Sequence, residues 1–213
     1  MKVILITPPE TVEHEHTLVI RLFEAGLPLL HLRKPGYDHE AMSGYIARMP
    51  ESLHQRIVIH SCYELARDFN LRGVHITSAD IPDKLAIIHQ FKSKKGFTIS
   101  ISSHSLELLK VHDPDIDYIF LSPVFDSISK KNYKAQFNII ELTEALKRSK
   151  TDVIALGGIQ VENIHKVKGM GFKGMAFFGA VWESADPVKS YKAIQDKLLS
   201  MQQALTGYSR IDN

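Results

Sequence analysis

The chain of 213 residues contains a single cysteine, Cys62. One thiol cannot close an internal disulfide, so a cysteine-stapled scaffold is excluded, and a reducing cytosol is the simplest compartment consistent with it. Long apolar runs are missing too. The opening Met1-Lys2-Val3-Ile4-Leu5-Ile6 is stopped by Thr7-Pro8-Pro9, too early for a signal-peptide core and far too early for a membrane span. It reads as a first strand. Charge of one sign is also lacking: 26 basic residues stand against 24 acidic ones, mixed along the chain, for a net charge of +2. Without a clustered basic face, no nucleic-acid partner is expected.

Apolar residues make up 44% of the chain, enough for an ordinary core and too many for a disordered one. They fall into short runs at 3–6, 28–32, 57–59, 73–76, 97–101, 118–121, 153–156 and 175–178. These runs are rich in β-branched and aromatic residues and bounded by Gly, Pro, Ser or Asp, the pattern of parallel strands buried on both faces. Amphipathic segments separate most of them. Leu18, Leu22 and Ala25 keep helical spacing, Leu106, Leu109 and Val111 do so more loosely, and Val188, Tyr191, Ile194, Leu198 and Met201 extend it over a long last helix. Eight strands alternating with helices would leave strands over in a doubly wound sheet, whereas a single (βα)8 TIM barrel uses them all. The barrel is assigned to residues 1–205, and the polar stretch 206–213 to a fraying tail.

Residues two apart on a strand share a face. The outward faces of such a barrel must pack on helices and be apolar, so the polar sets point inward, near the C-terminal mouth where enzymes of this architecture place their sites. Those sets are His31 with Arg33, His75 with Thr77, and Ser100 with Ser102. His75 and Ser100 read first as hydrogen-bonded core residues. Arg33 reads as functional, because a buried guanidinium requires an anionic partner or ligand. The Gly157-Gly158 turn follows the seventh run, and Phe178-Gly179 closes the eighth. Main-chain amides at these two places form an anion site that needs no charged side chain, which implies a phosphorylated ligand.

Five motifs, in order and covering about nine-tenths of the chain, jointly resemble the thiamin phosphate synthase/TenI family. They are Leu29-Leu30-His31-Leu32-Arg33-Lys34-Pro35, Gly73-Val74-His75-Ile76-Thr77-Ser78-Ala79-Asp80, and Ile101-Ser102-Ser103-His104-Ser105. The stretch from Asp117-Tyr118 through Ser122-Pro123-Val124-Phe125, and Ala155-Leu156-Gly157-Gly158-Ile159 with Glu162-Asn163, complete the set. The resemblance implies a (βα)8 barrel, a cytoplasmic location, self-association into a homo-oligomer, and binding of thiazole phosphate, with pyrimidine pyrophosphate or thiamin phosphate as further ligands. For the synthase it implies Mg²⁺, with Asp80 as the metal carboxylate. Arg33, Ser102 and the run Ser127, Ser129, Lys130 then hold the departing pyrophosphate.

The chain departs from the synthase pattern where the family's Asn-Asp pair aligns with His60-Ser61, and where a family lysine or arginine aligns with Pro35. Lys34 is adjacent, but strand alternation aims it elsewhere. The TenI branch instead includes a tautomerase that moves a proton on the thiazole phosphate without a metal. His31 resembles that branch, while its catalytic histidine aligns with Pro123. His31 or His60 is then the candidate acid/base. Three readings stand: a synthase with a depleted Mg²⁺ and pyrophosphate site, a TenI-like thiazole tautomerase, and a non-catalytic protein that binds and regulates thiamin phosphate or its precursors.

Overall fold

The computed structural model describes residues 1–92, 94–126 and 135–208. Eight strands run β1 Lys2–Ile6, β2 Leu29–Leu32, β3 Ile57–Ile59, β4 Gly73–Ile76, β5 Thr98–Ser103, β6 Tyr118–Leu121, β7 Asp152–Ala155 and β8 Gly174–Phe177. They pair in sequence order, all parallel, and β8 returns to β1 to close the barrel. The expected runs and the strands coincide to within two residues at either end. Pro28 and Phe97 fall just before their strands, and Leu156 and Phe178 just after theirs.

The α-helices are α1 Glu15–Glu24, α2 His39–Ala47, α3 Leu65–Asp68, α4 Lys84–Phe91, α5 Ile139–Arg148, α6 Ile164–Met170, α7 Gly179–Trp182 and α8 Pro187–Tyr208. Side-chain acceptors start two of them. Asp38 accepts from Ala41 N at 2.9 Å ahead of α2, and Asn138 accepts from Ile140 N at 2.9 Å ahead of α5. The loose spacing at Leu106, Leu109 and Val111 yields only the 3-10 turn Glu107–Lys110, because too few apolar positions repeat to seat an α-helix on the barrel. No helix among the described residues is long and apolar enough to cross a membrane.

Packing separates into two cores. The larger lies between strands and helices, where Leu30, Leu32, Ile57, Ile59, Val74 and Ile76 meet helical residues such as Leu22, Met42 and Ile46. The smaller fills the barrel itself with Ile4, Ile6, Tyr118, Phe120, Ile154 and Ala176. It draws on β1 and β6 to β8. The inward positions of β2, β4 and β5, together with the residue just past β3, are occupied instead by His31, His75, Ser100 and His60. The interior is thus apolar on one half and polar on the other.

A second buried polar group ties the N-terminal loop to the barrel. Lys34, with no exposed side-chain surface, donates to Glu15 Oε2 at 2.6 Å and to the Glu10 carbonyl at 2.9 Å. Tyr45 Oη donates to Glu15 Oε1 at 2.8 Å, and the Val12 amide also reaches Glu15 Oε2. Lys34 lies past the end of β2 and borders the cavity at the barrel mouth, but its side chain turns to Glu15. Its ammonium is committed to this network, which satisfies both charges of a buried pair. Removing one partner strands the other, so Glu15→Ala should lower unfolding free energy by about 3–5 kcal/mol, read by urea denaturation. A loss under 1 kcal/mol would show the pair to be dispensable.

Candidate active site

The C-terminal ends of the strands surround a cavity of about 700 Å³ whose lining includes Arg33, His60, Asp80, Ser102, Gly157 and Gly179. Strand order fixes how these face one another. In a closed ring of eight, β4 lies across from β8 and β3 across from β7. Asp80 and His60 therefore stand on the far side from Gly157, Gly158 and Gly179. Phe178 and His104 line the cavity as well, so of the expected site residues with described positions all but His31 reach it. Ser127, Ser129 and Lys130 lie outside the described residues.

His31 is fully buried beneath the cavity floor. Its Nε2 is 2.7 Å from Tyr118 Oη, and its Nδ1 is 2.9 Å from His60 Nε2. Burial, then the neighbouring His75, holds the imidazole of His31 well below its ordinary pKa. Burial also dominates at His60, followed by His75, His31 and Arg33. Tyr118 stays a phenol, its pKa raised by burial. A neutral imidazole has one donor and one acceptor nitrogen. The row Tyr118–His31–His60 therefore admits two self-consistent proton orders, one with each group donating toward the cavity and one with each donating away from it.

His75 was read as a core residue, and it is both core and cavity floor. Ser100 Oγ lies 3.4 Å from the Val74 carbonyl, to which it donates, so it accepts from His75 Nδ1–H at 2.9 Å. His75 Nε2 is left to accept from Ser102 Oγ at 2.8 Å. Burial and then the Arg33 charge press the His75 pKa down to about 3. The His60 and His75 rings stack with centroids 4.3 Å apart. Neither the sequence motif of His75 nor that of Tyr118 signalled this partnership, since it joins residues of β4 and β6 to neighbours on other strands.

Arg33 differs from expectation. It lines the cavity, but it is exposed rather than buried. The reason is the short β2, which ends at Leu32, so that Arg33 stands on the rim where water solvates it. Its backbone is pinned instead, the amide donating to Thr7 Oγ1 at 2.8 Å and Thr7 Oγ1 in turn donating to the Arg33 carbonyl at 3.1 Å. Among the described residues no carboxylate pairs with it, which leaves a cation at the mouth for an anionic ligand.

Asp80 is held by Tyr63 Oη at 2.8 Å and by Thr77 Oγ1, and both bonds land on Oδ2. Oδ1 keeps its lone pairs. Asp80 is the one carboxylate among the described residues lining the cavity. Next to His60, Ser61 has a buried hydroxyl with no partner, at the place of the second acid in the resembling motif. Mg²⁺ commonly binds through one or two carboxylates and completes its shell with water and phosphate oxygens, so this set fits the ion with Asp80 as its single charged ligand.

On the opposite side, the carbonyls of Leu156, Gly157 and Gly158 are taken by Val124 N, Phe125 N and Asn163 Nδ2 at 3.0, 3.2 and 2.7 Å. No carbonyl of the described residues accepts from the amides of Gly157 or Gly158. Both glycines have positive φ, 92° and 65°. A Cβ on Gly158 would come within 2.3 Å of the Asp126 carbonyl oxygen. Beyond β8, the first amides of α7 are unpaired by helix geometry. Trp182 Nε1 donates to the Ile6 carbonyl at 2.8 Å and fastens that helix to β1.

The closed ring of eight parallel strands, with the cavity at their C-terminal ends, defines a barrel of the TIM class. The thiamine monophosphate synthase model matches residues 3–181, and the chain belongs to that family. It is similar to the thiamine-phosphate synthase of Bacillus licheniformis, 26% identical over 88% of this chain and 86% of the relative. It is also similar to that of Latilactobacillus sakei, 28% identical over 76% and 75%. Among solved structures, the thiamine phosphate pyrophosphorylase of Bacteroides thetaiotaomicron is 30% identical over 93% of this chain and 98% of that one, with a TM-score of 0.76.

Two outcomes test this geometry. Gly158→Ala should lose more than about 1 kcal/mol of stability, because alanine is strained at positive φ. It should also lose the thermal protection given by inorganic phosphate; unchanged protection would separate the turn from anion binding. The depressed imidazoles set a pH dependence in chelator-treated protein. Between the ordinary pKa near 6.5 and about 3, His75 binds its proton only when unfolded, so stability is full above that window and falls as pH drops through it. His31 and His60 act in the same direction. Urea melts from pH 7 to pH 4 should show a decline of about 1.4 kcal/mol per pH unit for each histidine involved. The decline should shrink in His75→Asn.

Proposed function

We propose that this chain is a thiamin phosphate synthase, joining a pyrimidine pyrophosphate to a thiazole phosphate in the cavity at the barrel mouth. The observation that carries the reading is one cavity that sets the glycine amides after β7 and β8 across from Asp80, with Arg33 and Ser102 on the wall between. The glycine amides after β7 and β8 suit the single phosphate of the thiazole. Arg33, Ser102 and Asp80 suit a pyrophosphate. In the reaction, the bond between the pyrimidine methylene carbon and a pyrophosphate oxygen breaks, and its electron pair leaves with pyrophosphate. The thiazole ring nitrogen then supplies the pair for the new C–N bond.

The chain's part is electrostatic. Arg33 and the Ser102 hydroxyl meet the charge that develops on the leaving group, where preorganised donors act most strongly. Ser102 is pre-aimed by His75, whose Nε2 is at 2.8 Å. Asp80 would hold Mg²⁺, which when bound neutralises phosphate oxygens. In the metal-free protein the buried imidazoles stay neutral. Names of the relatives support the same reading.

A tautomerase reading is favoured by one feature. His60 lines the cavity and is hydrogen-bonded to His31 and through it to Tyr118, a row able to give and take a proton without becoming charged. Both readings are tested with one preparation. With both precursors and Mg²⁺, thiamin phosphate should accumulate, and Asp80→Asn should slow it on the order of a hundredfold. If no thiamin phosphate forms while thiazole phosphate alone changes tautomer, and His60→Asn and His31→Asn stop that change, the synthase reading falls and the tautomerase stands.

A further inference from the structure

The polar half of the barrel interior holds three imidazoles where a hydrogen-bonded core would need one. His31, His60 and His75 each present a ring nitrogen, and the three nitrogens lie within 4.8 Å of one another. All three side chains are buried, at 0, 6 and 1% exposure. They sit on adjacent strands, with His31 at the level of Val58 on β3 and His75 on the strand that β3 pairs with next. We infer that these histidines form a site for a borderline divalent cation of the zinc and cobalt class, open to the cavity on its fourth side. This site is separate from Asp80 and does not depend on which reaction the cavity hosts.

Ligand chemistry selects the ion. Three neutral nitrogens and no carboxylate suit zinc, cobalt, nickel or copper and disfavour magnesium, which takes oxygen. Burial keeps the rings in the unprotonated form that a metal requires. For two of the rings the far nitrogen is already oriented, as in metal sites whose outer partners fix the ring. His31 Nε2 meets Tyr118 Oη at 2.7 Å, and His75 Nδ1 meets Ser100 Oγ at 2.9 Å. The ligating atoms are then His31 Nδ1, His60 Nε2 and His75 Nε2.

Binding balances without loss of a proton. The hydrogen now shared between His31 Nδ1 and His60 Nε2, which are 2.9 Å apart, moves to the far nitrogen of the ring that carries it, and the Ser102 hydroxyl, which donates to His75 Nε2 at 2.8 Å, yields that lone pair to the ion. Each imidazole keeps one N–H on its far nitrogen, toward Tyr118 for His31 and toward Ser100 for His75. With zinc–nitrogen bonds of about 2.0–2.1 Å, a tetrahedral set places its nitrogens about 3.3 Å apart, so the rings close on the ion by on the order of an ångström. The set is neutral and the ion doubly charged, so the fourth position takes an anionic oxygen, hydroxide or a phosphate oxygen arriving from the cavity.

The test is titration of chelator-stripped protein with Co²⁺ alone. One equivalent should bind per chain, with the visible absorption of four-coordinate cobalt, and equimolar Zn²⁺ should abolish that absorption. The pair H31Q and H60N together should weaken binding at least tenfold; both replacements keep a polar, hydrogen-bonding side chain, so the barrel should still fold, as circular dichroism will report. H112Q, at an exposed histidine, should leave binding unchanged. In unmodified protein, three imidazole ¹⁵N resonances should shift up to one equivalent of Zn²⁺ and no further. No stoichiometric uptake, uptake unaffected by the H31Q/H60N pair, or unshifted buried resonances would each overturn the site. Loss of synthase activity in the same variants would leave this result untouched, and a metal-binding protein without synthase activity would leave the site standing.

Discussion

A closed barrel gives every strand one face that solvent does not reach below the mouth, and each polar side chain sent there must find its partner inside. This chain meets that constraint unevenly. On β1 and β6 to β8 the interior is filled by Ile4, Ile6, Phe120, Ile154 and Ala176, which need no partners. From β2 to β5 it is filled by imidazoles and hydroxyls that satisfy one another. Tyr118 is the seam: its ring belongs to the apolar half, while its hydroxyl ends the histidine row.

The architecture was legible because parallel strands buried on both faces leave a plain mark, short β-branched runs that need no alternation. The glycine turn after β7 was legible for a related reason, since Gly157 and Gly158 hold positive φ where other residues are strained. What failed at Arg33 was alternation carried past the strand. Period two governs side-chain direction only while the ladder lasts, and β2 stops at Leu32. Arg33 therefore stands free on the rim, while Lys34 turns back to Glu15. His75 was half legible. Its burial followed from its place in a strand, but its neighbours arrive from β3 and β5, and no local spacing encodes which inward positions meet across a ring.

Electrostatics divides the mouth in a way the net charge of +2 conceals. The β7 and β8 side offers main-chain amides, which attract anions without a formal charge to be desolvated. The β2 to β4 side pairs one exposed guanidinium with one carboxylate that is already oriented by Tyr63 and Thr77. Burial is the largest cause that keeps the three imidazoles neutral; neighbouring imidazoles add to it at His31 and His60, and Arg33 at His60 and His75. A protonated histidine there would compete with any cation for the same anionic oxygens. Without a bound ion, the floor adds no charge of its own, and the formal charges of the mouth stand at its rim.

Seen together, the positions where this chain leaves the synthase pattern are not scattered. His60 and Ser61 follow β3, His31 lies on the neighbouring β2, and Pro35 follows that strand. Against the pattern the sequence resembles, one carboxylate and one cation are absent, and imidazoles stand at two polar positions. Losing a negative and a positive charge together leaves the formal charge of the pocket unchanged. Random decay of a binding site would be expected to leave unpaired polar atoms throughout. Among the described residues, Ser61 Oγ is the one buried side-chain polar atom without a partner, and it borders the cavity. The histidines fall into two hydrogen-bonded groups, Tyr118–His31–His60 and Ser100–His75–Ser102, which meet where the His60 and His75 rings stack at 4.3 Å. The polar half of this barrel is therefore organised around neutral nitrogen donors.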